Sequence, residues 1–442
     1  MKIIVILLFY FMNLSVYADI HGRVFDGKGE PLQGINVYWY QTTVGTVTNE
    51  TGAFTLPRSQ ATTRLIFSSV VYNNDTIDVS FEELPLEIKL TEIIELKEVT
   101  ITQRSPGIIR PRFSVMQLEK ITTEELYRAA CCNLSESFET NPSVDVVFSD
   151  AATGAKQIRL LGLSGTYVQM LTENIPNLRG ISSVYGLGFI PGPWMEGIQV
   201  SKGTGSVING YEAITGQINV EYKKPPTSEI IFANVFASDA GRVEGNLNAS
   251  VFLTPELSTG ILLHASDELL THDADHDGYM DMPMVKQQNF INRWYYRNKR
   301  FVSQAFIRAL SENRMGGTVD HSFMIDIDTK RYEFFLKNGF VFNPEKETSA
   351  GLILSGSLHH QDAHYGKRFY DGKQDNFYAN LIFQTKLTDR SKISTGLSYN
   401  YDRFDELLRT HIHHNHVNDQ KFDVIERVAG AFGEYSFNLD NK

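Results

Sequence analysis

The sequence predicts a mainly β protein, because its composition and its patterns favour many short strands over long helices. Glycine occurs 33 times, aromatic side chains make up 12% of the 442 residues, and charged side chains make up only 21%. This mix does not suit a disordered chain. Several segments of the second half alternate apolar and polar side chains with a period of two, as β-strands do. We therefore expect a small β-sandwich, a mixed α+β domain and a long antiparallel strand array, in that order.

The charge and cysteine content exclude several classes of function. The chain carries 41 basic and 52 acidic side chains, for a formal charge of −11. An acidic balance argues against a nucleic-acid-binding protein, which would present a basic face. The two cysteines, Cys131 and Cys132, are adjacent. They cannot form a disulfide framework or a four-cysteine zinc site.

Residues 1–18 have the pattern of a signal peptide. Met1 and Lys2 give a positive start, an apolar run follows over 3–12, and Ala18 ends a small-residue cleavage motif. The alternative is a buried N-terminal strand. No later apolar run reaches the roughly 18 residues of a transmembrane helix. We therefore expect an exported protein, and any membrane insertion must use a closed β-barrel.

Residues 19–92 are predicted to form the sandwich. Strand-like segments at 20–24, 35–39, 46–48 and 52–56 are separated by turns that contain glycine, aspartate or asparagine. The arrangement Gly-x-Val-x-Asp, Gly-x-Pro-Leu-x-Gly, Gly-x-Phe resembles the carboxypeptidase regulatory-like domain, a seven-stranded sandwich without catalytic function. The chain contains neither a His-x-x-Glu metal motif nor a Gly-x-Ser-x-Gly nucleophile motif.

Residues 112–224 combine short helices with strands. A helix is predicted to start near Thr123, and a second short helix begins at 133 and ends before Asn141-Pro142. Strands follow at 156–160, 167–171 and 198–202, and a last strand starts at Gly216. The order of Ile158-Arg-Leu-Leu-Gly162, Val168 to Pro176, Glu196 to Gly203 and Gly210 to Val220 resembles the plug domain of TonB-dependent outer-membrane receptors. Thr215 stands where that family usually has a glycine.

The linker at 93–111 contains a short β-prone segment followed by a Pro/Gly-rich stretch. Without the family resemblance, we would interpret this segment as the closing strand of the sandwich. The resemblance implies a second role, because the family keeps its TonB box here, the strand donated to a periplasmic energy-transducing protein by β-augmentation. The candidate TonB box is Leu96, Lys97, Glu98, Val99, Thr100, Ile101 and Thr102.

Residues 225–442 are predicted to form about ten transmembrane strands. Alternating segments include 246–253, 376–387 and 393–402. Short turns near 254–256, 298–299, 344–346, 388–390 and 440–441 alternate with long connections at 267–283, 312–326, 359–373 and 404–419, as in bacterial barrels. The resemblance implies a 22-stranded antiparallel transmembrane β-barrel, so we expect a C-terminally truncated sequence containing its N-terminal part. The alternative is a closed ten-stranded barrel.

An acidic segment in the first long connection has the spacing of a calcium loop. Acids at loop positions 1, 3, 5 and 9 surround a glycine at position 6, and the bidentate glutamate usual at position 12 is replaced by Met284. A solvated acidic loop is the alternative. The candidate calcium ligands are Asp273, Asp275, Asp277, Asp281 and the backbone carbonyl of Tyr279.

Histidines are concentrated in the predicted outer connections. Neutral imidazoles at i and i+2 on a strand can share a transition metal or bind haem iron. A histidine-rich polar loop is the alternative. The candidate ligands of a transition metal or an imported ligand are His411, His413, His414, His416, His359, His360 and His364.

The resemblance implies energy-coupled import rather than catalysis. We expect no enzyme activity and no required cofactor, with calcium as the possible structural ion. Expected partners are the periplasmic TonB complex, outer-membrane lipid and a small ligand, with a metal, metal chelate, siderophore, haem or cobalamin favoured over a glycan. The resemblance also implies that the sandwich is an accessory periplasmic module of the kind seen in Bacteroidota-type receptors. A passive pore or surface adhesin is the alternative, and a surface-attached enzyme is disfavoured.

Overall fold

A computed structural model describes residues 19–27, 29–42, 44–59, 62–69, 72, 74–79, 85–91, 108–109, 117–128, 132–139, 141–203, 205–388, 390–412 and 416–437. The chain divides into two compact units, Met1–Arg104 and Ser105–Lys442. The predicted signal peptide, the candidate TonB box at 96–102 and Cys131 lie outside the described residues.

In its described residues the first unit is a β-sandwich of seven strands in two sheets, as the resemblance to the regulatory-like domain implies. One sheet has the order β4-β1-β7 and the other the order β3-β2-β5-β6. Alternate side chains of these strands, including Trp39, Phe54 and Phe67, are buried in a common apolar core. The strands are β1 (Ile20–Phe25), β2 (Asn36–Trp39), β3 (Gly45–Val47), β4 (Ala53–Leu56), β5 (Arg64–Ser68), β6 (Asp75–Asp78) and β7 (Leu86–Lys89).

The second unit begins with a mixed domain centred on a six-stranded sheet and a separate β10–β11 hairpin. The sheet order is β13-β12-β15-β14-β9-β8, and β12 runs parallel to β15. Four of the eight strands, β11, β12, β14 and β15, coincide with strands that the sequence predicts. They are β8 (Ile108–Ile109), β9 (Gln117–Thr122), β10 (Val144–Asp150), β11 (Ala155–Leu160), β12 (Val168–Thr172), β13 (Ile175–Pro176), β14 (Met195–Lys202) and β15 (Gly216–Tyr222).

Helical structure in the mixed domain is short. Helix α1 (Thr123–Arg128) begins where predicted. It has two glutamates in its first turn, where their negative charges interact favourably with the positive end of the helix dipole. The second predicted helix is only a 3-10 turn, Glu136–Phe138. Pro142 keeps Asn141 out of the helical region, so helix cannot continue past this point. In the part of the chain that the structure describes, no helix is long and apolar enough to cross a membrane.

Ten antiparallel strands follow, each paired with its neighbours in sequence, and this confirms the predicted number. Short connections at 253–256, 298–300, 344–347 and 389–390 also match the predicted turns. We call this sheet the wall. Its strands are β16 (Ile231–Ala237), β17 (Arg242–Phe252), β18 (Leu257–Glu268), β19 (Met284–Arg297), β20 (Phe301–Gly317), β21 (Met324–Asn343), β22 (Thr348–Tyr365), β23 (Arg368–Thr388), β24 (Ser391–Ile412) and β25 (His416–Phe437).

Three of the four predicted long connections are wrong. Only 269–283 is a long loop, whereas the predicted connections at 312–326, 359–373 and 404–419 lie mostly within strands. Strands β20 to β25 contain 17 to 22 residues. At about 3.3 Å per residue they are longer than a bilayer is thick. The polar residues at one end of these strands belong to regular strand, and a sequence pattern does not distinguish a polar strand end from a loop.

The wall has an apolar outer face and a polar inner face. On β23, Leu381 is 49% exposed on the outer face and Asn380 is 2% exposed on the inner face. The apolar outer band of this strand covers 377–387, and the charged Asp371, Lys373 and Asp375 stand beyond it. About ten tilted residues are the height of a lipid-facing band in a transmembrane strand. We define the outer end of the wall as the end that carries loop 269–283.

Candidate functional site

The mixed domain packs against the inner face of the wall, where an ion pair joins them. Arg293 on β19 is 1% exposed, and its Nη1 donates to Glu173 Oε1 at 2.7 Å. The same carboxylate oxygen accepts from the backbone N–H of Tyr222 at 3.0 Å. Arg293 Nη2 also donates to Gln304 Oε1 at 2.8 Å. This arrangement neutralises a charge that would otherwise be costly to bury.

Glu173 is held in its charged form. Burial alone would raise the pKa of its carboxyl, but the nearby positive charges of Arg293 and Lys224 outweigh burial and lower the pKa to about 2. Glu173 has a positive φ of 54° in the turn between β12 and β13, a conformation that is uncommon for a residue with a side chain. The buried ion pair therefore holds an unusual turn against the wall.

Further wall side chains donate to backbone carbonyls of the mixed domain. Asn289 Nδ2 and the Arg308 guanidinium both donate to Phe189 O, the former at 2.8 Å. Gln287 Nε2 donates to Gly188 O at 3.1 Å, and Arg314 Nη1 donates to Thr153 O at 2.8 Å. Because these contacts are to backbone carbonyls, they hold the contacted segment in place independently of its side chains. The wall thus fixes the position of several irregular segments of this domain.

A second ionic contact lies near β24. Arg179 donates to Asp402 Oδ2 at 3.0 Å and to Glu212 Oε1 at 2.6 Å, and it thereby bridges the wall and the 205–214 segment. Burial raises the pKa of the Glu212 carboxyl, although the charge of Arg179 acts in the opposite direction. We did not predict these charged anchors from the sequence. The available signal was the recurrence of polar side chains at alternate positions of the wall strands.

Loop 269–283 brings together three of the predicted calcium ligands. Oxygen atoms of Asp273, Asp275 and Asp281 lie within 4.8 Å of one another, and within the described residues this is the one such group of carboxylate, histidine or cysteine side chains. Asp277 instead accepts from the backbone N–H of Tyr279 at 2.8 Å. Gly278 has a φ of 87°, which gives the sharp turn that the pattern requires.

The same loop is fixed to its neighbour at 318–323. Met280 N donates to Gly317 O at 2.9 Å, and Val319 N donates to Gly278 O at 2.9 Å. The Met280 side chain is 7% exposed, so it packs rather than facing solvent. The acidic group therefore sits on a backbone that is anchored to the end of β20 and to the 318–323 loop.

The predicted histidine ligands are distributed over different surfaces. His359, His360 and His364 lie in β22, so their prediction as loop residues is wrong. His359 is 2% exposed on the inner face and its ring lies 6.2 Å from that of Phe189, whereas His360 contacts Asp371 at 3.0 Å on the other face. His411 lies near the end of β24 and His416 begins β25, where the backbone register pairs Ile412 with His416. His413 and His414 lie outside the described residues.

Comparison with protein families identifies two domains. Residues 20–101 match the CarboxypepD_reg-like domain, and residues 112–217 match the TonB-dependent Receptor Plug Domain. The first match includes 96–101, which is part of the segment that we predict to be the TonB box. A search of curated proteins found no matching relative.

Solved structures with the same fold support these matches. P. aeruginosa FpvA bound to heterologous pyoverdines has a TM-score of 0.65 and 14% identity over 80% of this chain and 55% of its own. The ferric yersiniabactin uptake receptor FyuA from Yersinia pestis has a TM-score of 0.54 and 12% identity over 74% and 62%. The copper transporter OprC has a TM-score of 0.59 and 13% identity over 76% and 53%. The chain thus spans 53% to 62% of the length of these three proteins.

Proposed function

Because the chain has the sandwich and plug domains of a TonB-dependent receptor, we propose that it acts in energy-coupled import of a scarce ligand across the outer membrane. The observation that supports this most strongly is the plug domain on the polar face of the wall, joined to it by the buried Arg293–Glu173 pair. A plug fixed by buried charges blocks passive diffusion, and moving it requires work. In this proposal residues 1–18 direct export and the sandwich and linker are periplasmic.

The linker is the proposed point at which that work is applied. Residues 96–102 are β-prone and lie between the two domains, where a partner sheet can add them as an edge strand. The partner would be the periplasmic TonB complex. A pull on this segment acts next on β8 and β9, which form one edge of the plug sheet.

We propose a metal or a metal chelate as the ligand, with a siderophore, haem and cobalamin as the candidates to compare. Two groups support a metal-related ligand: the aspartates of loop 269–283 and the histidines at 411–416. The printed names of the similar structures concern pyoverdine, ferric yersiniabactin and copper. For calcium we propose a structural role in the loop, and the receptor requires no cofactor.

Deletion of 96–102 from the full-length receptor tests the proposed coupling. Cells expressing the intact or deleted receptor are given labelled iron–siderophore, copper, haem and cobalamin, with and without a proton uncoupler. We expect accumulation of one probe by the intact receptor only, and loss of that accumulation with the uncoupler. Deletion of 103–107, which leaves the segment intact, is the matched control. Equal accumulation after deletion of 96–102 would identify a passive pore, and no receptor-dependent accumulation with retained surface binding would identify an adhesin.

Histidine substitution tests the ligand class separately. The variant with His411, His413, His414 and His416 changed to Ala is compared with His21→Ala, a histidine of the sandwich. Calorimetric titration with Cu²⁺, Zn²⁺ and haem should show binding to the wild type and to His21→Ala, and loss of that binding in the fourfold variant. Equal binding by all three proteins would show that these histidines are not ligands.

A further inference from the structure

A groove of about 590 Å³ runs across the outer face of the wall, on the side that faces away from the plug. It crosses six neighbouring strands, β16 to β21, which lie about 4.8 Å apart, so it is about 24 Å long. Its floor follows a backbone row in which Gly245 is paired with Ala265. A Cβ at Gly245 would meet nothing within 4 Å, so the space above this floor is open.

Larger side chains form one long side of the groove. Leu247, Leu263 and Phe290 occupy the next backbone row, on the side away from loop 269–283. Tyr332 on β21 is the last side chain of this row to line the groove. A low floor beside a raised apolar side allows one hydrocarbon chain to contact the wall from two directions, which increases its van der Waals contact over that on a flat surface.

The depth of the groove matches one leaflet of a bilayer. Strands of a transmembrane barrel are tilted by about 45°, so a row that crosses them at right angles is inclined about as steeply. A groove about 24 Å long then covers about 17 Å of depth, roughly half of the ~30 Å hydrocarbon core. Its β21 end lies at the outer limit of the apolar band, where Lys330 is followed on the same face by Tyr332 and Phe334. Its other end lies among apolar side chains of β16.

Three polar side chains stand in one row at the outer end of the groove. The backbone register pairs Gln288 with Ser311 and Ser311 with Lys330, so the three lie on adjacent strands about 4.8 Å apart. All three are exposed, and within the described residues none has a hydrogen-bond or ion-pair partner. Asp328, two residues before Lys330, accepts from Asn313 Nδ2 at 3.1 Å. The row therefore offers amide, hydroxyl and ammonium donors to an external group.

We infer that this groove binds one phosphate-bearing lipid of the outer leaflet. The phosphate accepts a charge-assisted hydrogen bond from Lys330 and further hydrogen bonds from Ser311 and Gln288. One acyl chain of the same lipid lies over Gly245 and Ala265, along the apolar side of the groove. The positive charge at the outer end complements a phosphate, and the apolar groove that continues from it complements the chain. Lipid binding requires neither import nor the linker, so this inference goes beyond the proposed function.

Native mass spectrometry of the full-length receptor, stripped of lipid in detergent, tests the headgroup contact. The probe is dimyristoylphosphatidic acid, and dimyristoylglycerol, which has the same chains without the phosphate, is the control lipid. We expect the wild type to bind one phosphatidic acid saturably and more tightly than the control lipid. Lys330→Gln should bind phosphatidic acid at least about tenfold more weakly, because a hydrogen bond between charged groups is lost. Lys373→Gln, on the same face of β23, should bind it as the wild type does.

The substitution Gly245→Leu tests the chain contact separately. A leucine side chain would occupy the open floor, so we expect weaker binding of phosphatidic acid although Lys330, Ser311 and Gln288 are unchanged. Ala249→Leu, on the same face of the same strand but outside the groove, is the matched control and should leave binding unchanged. A site for free phosphate would not respond to Gly245→Leu, so this variant distinguishes a lipid from a free anion.

Four results would overturn the inference. Equal binding of the two lipids by the wild type would identify ordinary boundary lipid. Unchanged binding of phosphatidic acid by Lys330→Gln would reject the headgroup contact, and unchanged binding by Gly245→Leu would reject the chain contact. Equal losses in Gly245→Leu and Ala249→Leu would show that the effect comes from the sheet and not from the groove.

Discussion

The Arg293 guanidinium is almost completely buried, yet every contact that it makes serves the junction between plug and wall or the wall itself. It donates to Glu173 of the plug, to the Tyr222 carbonyl and to Gln304 of the neighbouring strand. Replacing a buried ion pair by apolar residues is often tolerated, but removal of one partner leaves an uncompensated charge. Single residues at this junction should therefore have large effects on the seating of the plug.

Substitution Arg293→Met tests that expectation. Glu173 would keep its backbone donor but lose its charged partner in a buried place, and we expect a loss of about 3–5 kcal/mol of stability. Denaturant titration measures this loss of stability, with the protease sensitivity of the plug as the readout of its unfolding. Arg300→Met in the exposed 298–300 turn is the control and should change stability by less than about 0.5 kcal/mol. Equal behaviour of the two variants would show that the ion pair does not hold the plug.

The lowered pKa of Glu173 also predicts a dependence on pH. A carboxyl whose pKa is about 2 in the folded protein and near 4.5 in the unfolded chain adds stability above pH 4.5, and that stability disappears as the pH falls toward 2. The plug should therefore become protease-sensitive in this window. In Glu173→Gln this part of the pH dependence should be absent, whereas an unchanged acid profile would contradict the assignment.

The aspartates of loop 269–283 lead to a prediction about calcium. Converging carboxylates repel one another until a cation neutralises them, so Ca²⁺ should raise the unfolding temperature of the receptor. Asp275→Asn and Asp281→Asn should each remove most of that increase. Asp320→Asn, in the neighbouring loop but outside the group, is the control. An increase that is the same in all variants would place calcium binding elsewhere.

At the scale of elements, strand identity was predictable and strand length was not. Alternation on 376–387 and 393–402 identified β23 and β24 because lipid on one face and polar contacts on the other impose a period of two. The outer ends of the same strands carry Asp371, Lys373 and Arg403, which read as loop residues. Hydrogen bonds to neighbouring strands determine where these strands end, and a single sequence does not contain that information.

Gly216, at the start of β15, shows how closely the plug strands approach one another. A Cβ at this position would lie 2.1 Å from the backbone oxygen of Ser201 on β14. A backbone oxygen cannot move away without breaking the sheet. We therefore expect Gly216→Ala to lower the free energy of unfolding by several kcal/mol, on the order of the destabilisation caused by overpacking a core. Gly245→Ala on β17 is the control, because a Cβ there would meet nothing within 4 Å. Thermal unfolding compares the two, and equal unfolding temperatures would contradict the close approach.

At the scale of the whole molecule, the order of domains followed from the sequence but the plug–wall junction did not. Motifs such as Gly210 to Val220 are local and can be recognised in one chain. The contacts of Arg293 with Glu173 and of Arg179 with Asp402 join residues more than 100 positions apart, and only the fold brings them together. The convergence of Asp273, Asp275 and Asp281 follows from their closeness in sequence, and their role as calcium ligands stays a prediction.

Direct binding of the energised partner is the most direct test of the proposed coupling through the linker. The purified periplasmic domain of TonB is titrated onto the full-length receptor and onto a variant with 96–102 replaced by glycine and serine. We predict a saturable complex with the intact receptor and its loss in the variant, because the replacement removes the β-prone strand that the partner sheet would add. Replacement of 103–107 should leave the complex unchanged. A complex that survives replacement of 96–102, or no complex with the intact chain, would contradict coupling through this segment.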